Sequence, residues 1–349
     1  PFQVSWDGFF FDYIYQMKLN YSFIIPVYNR PQEVLELLDS FLGLQYNGEF
    51  EIVIIEDGSS EKSEDIVEVY QDRLNISYYY KSNSGPGASR NYGMQRAKGN
   101  YFIILDSDCL LPPHYLENVD AFLNTNFFHC YGGADSAHLS FSPLQKAINY
   151  AMTSFITTGG IRGSERSVTD FEPRSFNMGI SKEAFLKTGG YAKIHPGEDP
   201  DLSQRIKKEG YSTIFIPNAH VFHKRRISWK KFYTQVNKFG MVRPILNSWH
   251  PTTAKITFWF PTCFVFFVAL SIAMSAILDL RFILPLLLYL WIILLDSSFR
   301  NKSVYIGVLS IFAVFVQFFG YGLGFLKSTF FVRILNKDPQ KQFPNLFFK

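Results

Sequence analysis

The chain has 349 residues, 34 Lys and Arg against 30 Asp and Glu, a net charge of +4 and 18% aromatics. That length allows one or two domains. Its three cysteines, Cys109, Cys130 and Cys263, show no CxxC and no paired spacing, which excludes a disulfide framework and a zinc site and fits a reducing cytosolic compartment. Residues 1–16 lack the basic n-region and small-residue cleavage site of a signal peptide. Met17 reads as a natural start, so 1–16 are taken as an N-terminal extension without a function.

In chain order, residues 21–27 (YSFIIPV) read as a first strand, and Pro31 opens a helix whose apolar residues Val34, Leu35, Leu38, Phe41 and Leu42 keep helical spacing. A second strand, 50–55, ends in Glu56-Asp57-Gly58-Ser59-Ser60. A helix follows over 63–70, then a third strand over 76–80. Gly85-Pro86-Gly87 opens another helix, which stops at Gly99, and 101–105 (YFIIL) is a fourth strand delivering Asp106 and Asp108. Alternating elements with short connections predict an α/β fold with a parallel sheet.

Two strands thus end in acids, Asp57 and Asp106, at the edge where open α/β sheets bind ligands. Carboxylates placed like Asp106 and Asp108 either hold a hard divalent cation, which can in turn hold a diphosphate, or are solvated loop residues capping the next turn. The glycines of 85–93 follow neither the G-x-G-x-x-G nor the Walker A spacing. A helix N-terminus there can still serve phosphate, and Arg90 either contacts a diphosphate or pairs with a local acid.

The ordered set SFIIPVYNR, IIEDGSS, GPGASRNYGMQRAKGNYFIILDSD, NMGISKEAFLKTGGY, GEDPDLSQRIKKEGY and HVFHKRR resembles the family 2 glycosyltransferases with a GT-A fold, a Rossmann-like nucleotide-sugar-binding domain. The resemblance covers roughly 21–245. It implies that Pro26, Tyr28 and Asp57 lie around the donor nucleotide, with Tyr28 stacking on the base and Asp57 accepting a hydrogen bond from it. It implies that Asp106 and Asp108 bind Mn²⁺ or Mg²⁺ with the diphosphate of a nucleotide diphosphate sugar. Cys109 is then a small buried hydrophobe, since a hard cation prefers oxygen.

Asn177 falls in a short strand on the acceptor side in that family, and Ser181 is expected to cap the next helix, closed by Gly189-Gly190. In Glu198-Asp199-Pro200-Asp201, Pro200 suits the first helical position, which makes Asp199 the N-cap. Asp199 is either that cap alone or, as the resemblance implies, the catalytic base that takes the acceptor's proton in an inverting transfer. His220 and His223 are three apart on a strand and face opposite sides. The resemblance assigns His223 to the metal or diphosphate, against the alternative of a surface histidine.

Beyond His223 the composition changes. Residues 224–255 carry eight Lys and Arg, no acid, and interleaved aromatics, which reads as a basic amphipathic collar on an anionic membrane surface, with no nucleic-acid partner. Processive synthases carry Q-x-x-R-W in this region, whereas here Gln235 is followed by Lys238-Phe239. Two apolar stretches, 256–278 and 304–326, are long enough to span a bilayer. The middle one, 282–295, is short, contains Pro285 and is bracketed by Arg281 and Asp296, so it is expected to re-enter or lie at the interface. Gly320, Gly322 and Gly324 read as flexible. The tail carries more cations than acids, which favours the inside.

The expected organisation is therefore an extension (1–16), a GT-A domain (17–222), a collar (223–255), a transmembrane region (256–326) and a basic tail (327–349). The expected function is an inverting, metal-dependent glycosyltransferase at the inner membrane with its catalytic domain cytoplasmic. It would move a sugar to a lipid-linked or glycan acceptor in surface polysaccharide assembly. A processive polysaccharide synthase, a non-catalytic membrane scaffold and a nucleotidyltransferase are the alternatives.

Overall fold

The computed structural model describes residues 18–136, 141–158, 171–223 and 228–348, with backbone alone at 135, 136 and 223. The chain divides into two compact units. One comprises the described residues of Pro1–Ser136, Glu165–Ala192 and Leu202–His223; the other comprises those of Ala137–Ser164, Lys193–Asp201 and Lys224–Lys349.

The first unit holds an eight-stranded sheet. Its strands are β1 Tyr21–Val27, β2 Phe50–Asp57, β3 Ile76–Lys81, β4 Tyr101–Leu105, β5 Cys109–Leu110, β6 Cys130–Ser136, β7 Asn177–Ser181 and β8 Thr213–His223, in the order β3-β2-β1-β4-β7-β6-β8-β5. β3, β2, β1 and β4 run parallel, as the alternation of elements predicts. β7 joins β4 antiparallel, so the full sheet is mixed.

Successive strand residues face opposite sides, and β1 buries both. Phe23 and Ile25 join Leu37, Leu38 and Phe41 of the helix Pro31–Leu42 on one face. Ile24 joins Ile55, Met94 and Phe102 on the other. A strand covered on both faces reads as a continuous apolar run, which is how YSFIIPV and YFIIL appear in the sequence. On the second face Gly93 lets the helix Pro86–Arg96 close on the sheet, since a Cβ there would stand 2.5 Å from Ile55 Cδ1 and 2.8 Å from Ile24 Cγ2. β2 and β3 continue past their apolar runs as far as Asp57 and Lys81, which are register partners and form an ion pair across the strands.

The second unit is built on long helices. Trp229–Trp249 buries Phe232, Val236, Gly240, Ile245 and Leu246, and its Val236 and Gly240 meet the helix Val304–Ser328. Gly320, Gly322 and Gly324 are continuous helix, not a flexible break. Their missing side chains let neighbouring backbones approach. Asn237 Nδ2 donates to Gly320 O at 2.9 Å, and Thr262 Oγ1 donates to Gly322 O at 3.0 Å. Small residues serve such close helix contacts.

Among the described residues three helices are long and apolar enough to cross a membrane: Ile256–Ile277, Leu280–Asn301 and Val304–Ile334. The middle one is longer as a helix than its apolar stretch in the sequence. It runs 22 residues, about 33 Å at 1.5 Å per residue, because the helix continues through Asp296. There Asp296 is satisfied by Tyr150 Oη at 2.7 Å and Arg300 Nε at 3.0 Å instead of ending the helix.

Candidate functional site

The carboxyl ends of β1, β2, β3 and β4 deliver four loops to one edge of the first unit's sheet, and polar side chains tie these loops together. After β1, Asn29 takes φ +53°, and its Oδ1 accepts from Ser60 N at 2.8 Å and Glu61 N at 3.1 Å. The loop after β1 is thereby fastened to the loop after β2. Glu56, fully buried, accepts from Ser63 N at 2.9 Å and Tyr78 Oη at 3.2 Å, and shapes that same loop. Asp57, 3% exposed, accepts from Lys81, from Ser84 N at 2.9 Å and from Gly85 N at 2.9 Å. It therefore fixes the start of the helix Pro86–Arg96. Tyr28 stands 54% exposed just past β1, and Pro26 is half-buried within the strand.

At the end of β4 the two acids each meet an arginine. Arg90 Nη2 lies 2.8 Å from Asp106 Oδ1, and Arg30 Nη1 lies 3.1 Å from Asp108 Oδ2. Arg90 is 3% exposed, and its guanidinium lies 5.2 Å from the Tyr191 ring centre. Of the two alternatives for Arg90 the structure shows the pairing with a local acid, and that acid is the first of the D-x-D pair. Arg30 and Lys81 received no role from the sequence. The signal available was position: Arg30 is the residue before the helix-opening Pro31, and Lys81 ends β3 at the same edge as Asp57 and Asp106.

Among the described residues no three of His, Cys, Asp or Glu converge into a metal cage. The pair Asp106 and Asp108 still suits Mn²⁺ or Mg²⁺. The donors are all oxygen, and the Asp106 side chain is 32% exposed at the strand end. Magnesium-type ions use one or two carboxylates and take their remaining ligands from water and phosphate. β8 ends beside this pair, with His223 in register opposite Cys109, the residue after Asp108. The His223 side chain, and so its proposed part in the metal site, lies outside the described residues. Cys109 is fully buried, and its Sγ donates to Phe176 O at 3.3 Å, as a packed small residue should.

Two expectations are corrected. Asn177 does not face an acceptor. It is completely buried, with Oδ1 accepting from Tyr115 Oη at 2.6 Å and Nδ2 donating to Ala219 O at 2.7 Å and Ala134 O at 3.2 Å. It joins strands of the sheet. Asp199, in the second unit, is not an N-cap either. The helix Glu198–Lys208 begins one residue earlier, with Gly197 at φ +119° before it and Asp201 N donating to Gly197 O at 3.2 Å. Asp199 instead sits in the first helical turn with Glu198 and Asp201, where carboxylates are favoured by the helix dipole.

Comparisons with known proteins bear on the family and the fold. The profile of glycosyl transferase family 2 matches residues 22–185. An uncharacterized glycosyltransferase of Rickettsia typhi is 42% identical over 103 residues, 30% of this chain and 31% of that protein. The poly(ribitol-phosphate) beta-N-acetylglucosaminyltransferase TarS of Staphylococcus aureus is 32% identical over 109 residues, 30% of this chain and 19% of that protein. The match spans less than a third of the length of these curated relatives. Among solved structures, the mannosyltransferase PcManGT from Pyrobaculum calidifontis, in complex with GDP-Man and Mn²⁺, superposes with a TM-score of 0.62 at 15% identity, covering 87% of this chain and 88% of that one. Residues 22–185 are a glycosyl transferase family 2 domain on the GT-A fold, followed in the chain by three apolar helices long enough to span a membrane.

Proposed function

We propose that the protein is a membrane-anchored, inverting, metal-dependent glycosyltransferase. It transfers one sugar from a nucleotide diphosphate sugar to a lipid-linked or otherwise membrane-associated glycan acceptor during surface polysaccharide assembly. The observation that supports this best is the pairing of Asp106 with Arg90 and of Asp108 with Arg30 at the carboxyl end of β4. Two carboxylates and two guanidiniums at one strand end offer both a cation and a diphosphate their complementary charges.

In this reading Tyr28 stacks on the base and Pro26 lines the nucleotide pocket. Asp57 holds the Ser84-Gly85 backbone in place and takes a hydrogen bond from the base with its remaining acceptor capacity. Asp106 and Asp108, with His223, hold Mn²⁺ or Mg²⁺, whose chemistry is to neutralise charge on the leaving diphosphate. Arg90 and Arg30 steady the two carboxylates and face the diphosphate. Asp199 accepts the acceptor hydroxyl's proton. The exposed Lys230 and Lys231 favour an anionic, cytoplasmic leaflet. TarS, named for transfer of N-acetylglucosamine, and PcManGT, solved with GDP-Man, support a nucleotide-sugar donor without choosing its base.

Calorimetry of the full chain with UDP-, GDP- and dTDP-sugars, each with Mn²⁺ and then with chelator, tests the proposal. One donor should bind with Mn²⁺ and be released by chelator. Binding of none of them, or chelator-indifferent binding, would remove the metal-dependent reading.

A further inference from the structure

The second unit returns its last residues to the segment that leads into Glu198 and Asp199. His195 N donates to Leu346 O at 2.8 Å, and Phe348 N donates to Lys193 O at 3.0 Å, a two-stranded bridge centred on Ile194 and Phe347. Ile194 and Leu346 are each 1% exposed. The same short segment is held at two further points. His195 Nδ1 lies 2.8 Å from Glu198 Oε1, and His250 Nε2 lies 2.8 Å from Asp201 Oδ1, with both members of the second pair 6% exposed. At Gly197 any Cβ would stand 2.5 Å from Val242 Cγ1.

We infer that the C-terminal segment, with Leu346 at its centre, is a strap that positions Asp199 for proton transfer. Residues 193–197 contain no regular element of their own, so their path is set by what they pack against. The tail supplies two backbone hydrogen bonds and a buried side chain. These bonds lie four to six residues before Asp199, close enough for their loss to swing the first helical turn. A misplacement of about 1 Å at a reacting group can cost roughly 10²-fold in rate. Leu346 acts through this segment as a positioning residue and touches no substrate. The inference rests on the reading of Asp199 as the base.

The test uses the full-length chain in lipid nanodiscs and compares Leu346→Asp, Leu346→Met and Asp199→Asn. Three quantities are measured: affinity for UDP, GDP and dTDP with Mn²⁺, kcat and donor KM for labelled-sugar transfer into a membrane-lipid extract, and deuterium uptake over 193–201. Leu346→Asp should speed exchange in 193–201 and lower kcat by about 10–100-fold, with donor affinity and KM within about twofold of wild type. Leu346→Met should restore kcat. Adding Leu346→Asp to Asp199→Asn should cost nothing further, because both act through one group. Full kcat in Leu346→Asp despite faster exchange overturns the strap while leaving the base reading intact. An equal fall in donor affinity and kcat also overturns it, since that is general damage. Wild-type transfer by Asp199→Asn removes the base reading and the strap's purpose with it.

Discussion

Arg90 Nη2 and Asp106 Oδ1 lie 2.8 Å apart, yet the two side chains differ in exposure, 4% for the arginine and 32% for the aspartate. The guanidinium is permanently charged. Most of the desolvation therefore falls on Arg90, and Asp106 neutralises it while keeping a side open to solvent. Asp106→Ala should remove a charged partner of that cation. Breaking a fully buried pair costs about 3–5 kcal/mol; with one partner partly in water, about 2–3 kcal/mol is expected. Thermal unfolding should show Asp106→Ala well below wild type and Asp106→Asn in between. Equal melting of all three would mean that the pair contributes nothing.

Asp108 separates this structural effect from ligand binding. Its partner Arg30 has a side chain 33% exposed and a second acid, Glu33, at 3.2 Å, so removing Asp108 leaves that cation hydrated and paired and should move stability less than removing Asp106. Asp108→Ala should nevertheless abolish the Mn²⁺-dependent part of donor binding. Titration of the donor with and without chelator checks this. Equal affinity in variant and wild type under both conditions places the metal elsewhere.

Asp199→Asn should retain donor binding and lower transfer by about 10²–10⁴, the scale of general-base loss. Asp199 is not the helix cap, so the stability argument does not run through capping. The isosteric amide keeps the first-turn packing and gives up one favourable charge at the helix N-terminus, typically about 0.3–1 kcal/mol. A variant that transfers at nearly the wild-type rate would move the base to Glu198 or Asp201. Both of these, however, carry histidine partners in the structure.

The parallel half of the sheet was readable because buried strands leave uninterrupted apolar runs. β1 and β4 fall on the expected residues to the position. The strand ends were less legible. Asp57 and Lys81 extend their strands as a charge pair, and neither looks like strand by hydropathy. Ser181 caps its helix as read, accepting from Ala184 N at 3.1 Å. Asp199 misled because Asp-Pro is a strong local N-cap signal, and a positive-φ glycine two residues earlier won that position. Asn177 misled because a family role hid an ordinary one, a buried amide joining strands. Long-range partners such as Arg30 with Asp108, 78 residues apart, leave no trace in local spacing at all.

His129 gives the first unit a pH dependence. Burial pushes its pKa below the usual value of 6.5, outweighing the opposite pull of Glu183. Its Nδ1 lies 2.9 Å from Ser181 Oγ, and its ring packs against Tyr211 and Phe127. Below pH 6.5 the unfolded chain takes up a proton here that the folded chain still refuses. Stability therefore falls as pH drops from about 6.5 toward the depressed folded value, at no more than roughly 1.4 kcal/mol per pH unit. Melting between pH 7.5 and 5.5 should shift less in His129→Gln than in wild type. Identical shifts would mean that the histidine titrates alike in both states.

The contacts of the C-terminal tail lead to a prediction for the parity of membrane crossings. Leu346 and Phe348 hydrogen-bond to His195 and Lys193, and the Phe347 ring lies tilted 6.4 Å from that of Trp249, all three partners preceding the first apolar helix. Tail and leading segments are therefore expected on one side, which requires an even number of crossings, although three of the described helices are long enough. The sequence pointed to the middle stretch as the one that stays behind. The structure favours the last. The apolar window of Val304–Ile334 is 44% buried within the protein, against 17% for each of the other two, and its glycines hold the cation-bearing Trp229–Trp249 helix. Ile256–Ile277 and Leu280–Asn301 then form the inserted hairpin, turning at Asp279. Single cysteines at Asp279, Ser303 and Lys341, in a Cys263→Ala background with Cys109 and Cys130 buried, separate the arrangements with a membrane-impermeant maleimide. Position 279 should label from the side opposite the basic helix, and 303 and 341 from the same side as that helix. Label at 303 from the opposite side would restore the non-crossing middle helix. Label at 341 from the opposite side would mean three full crossings and would break the bridge between Phe347 and Ile194.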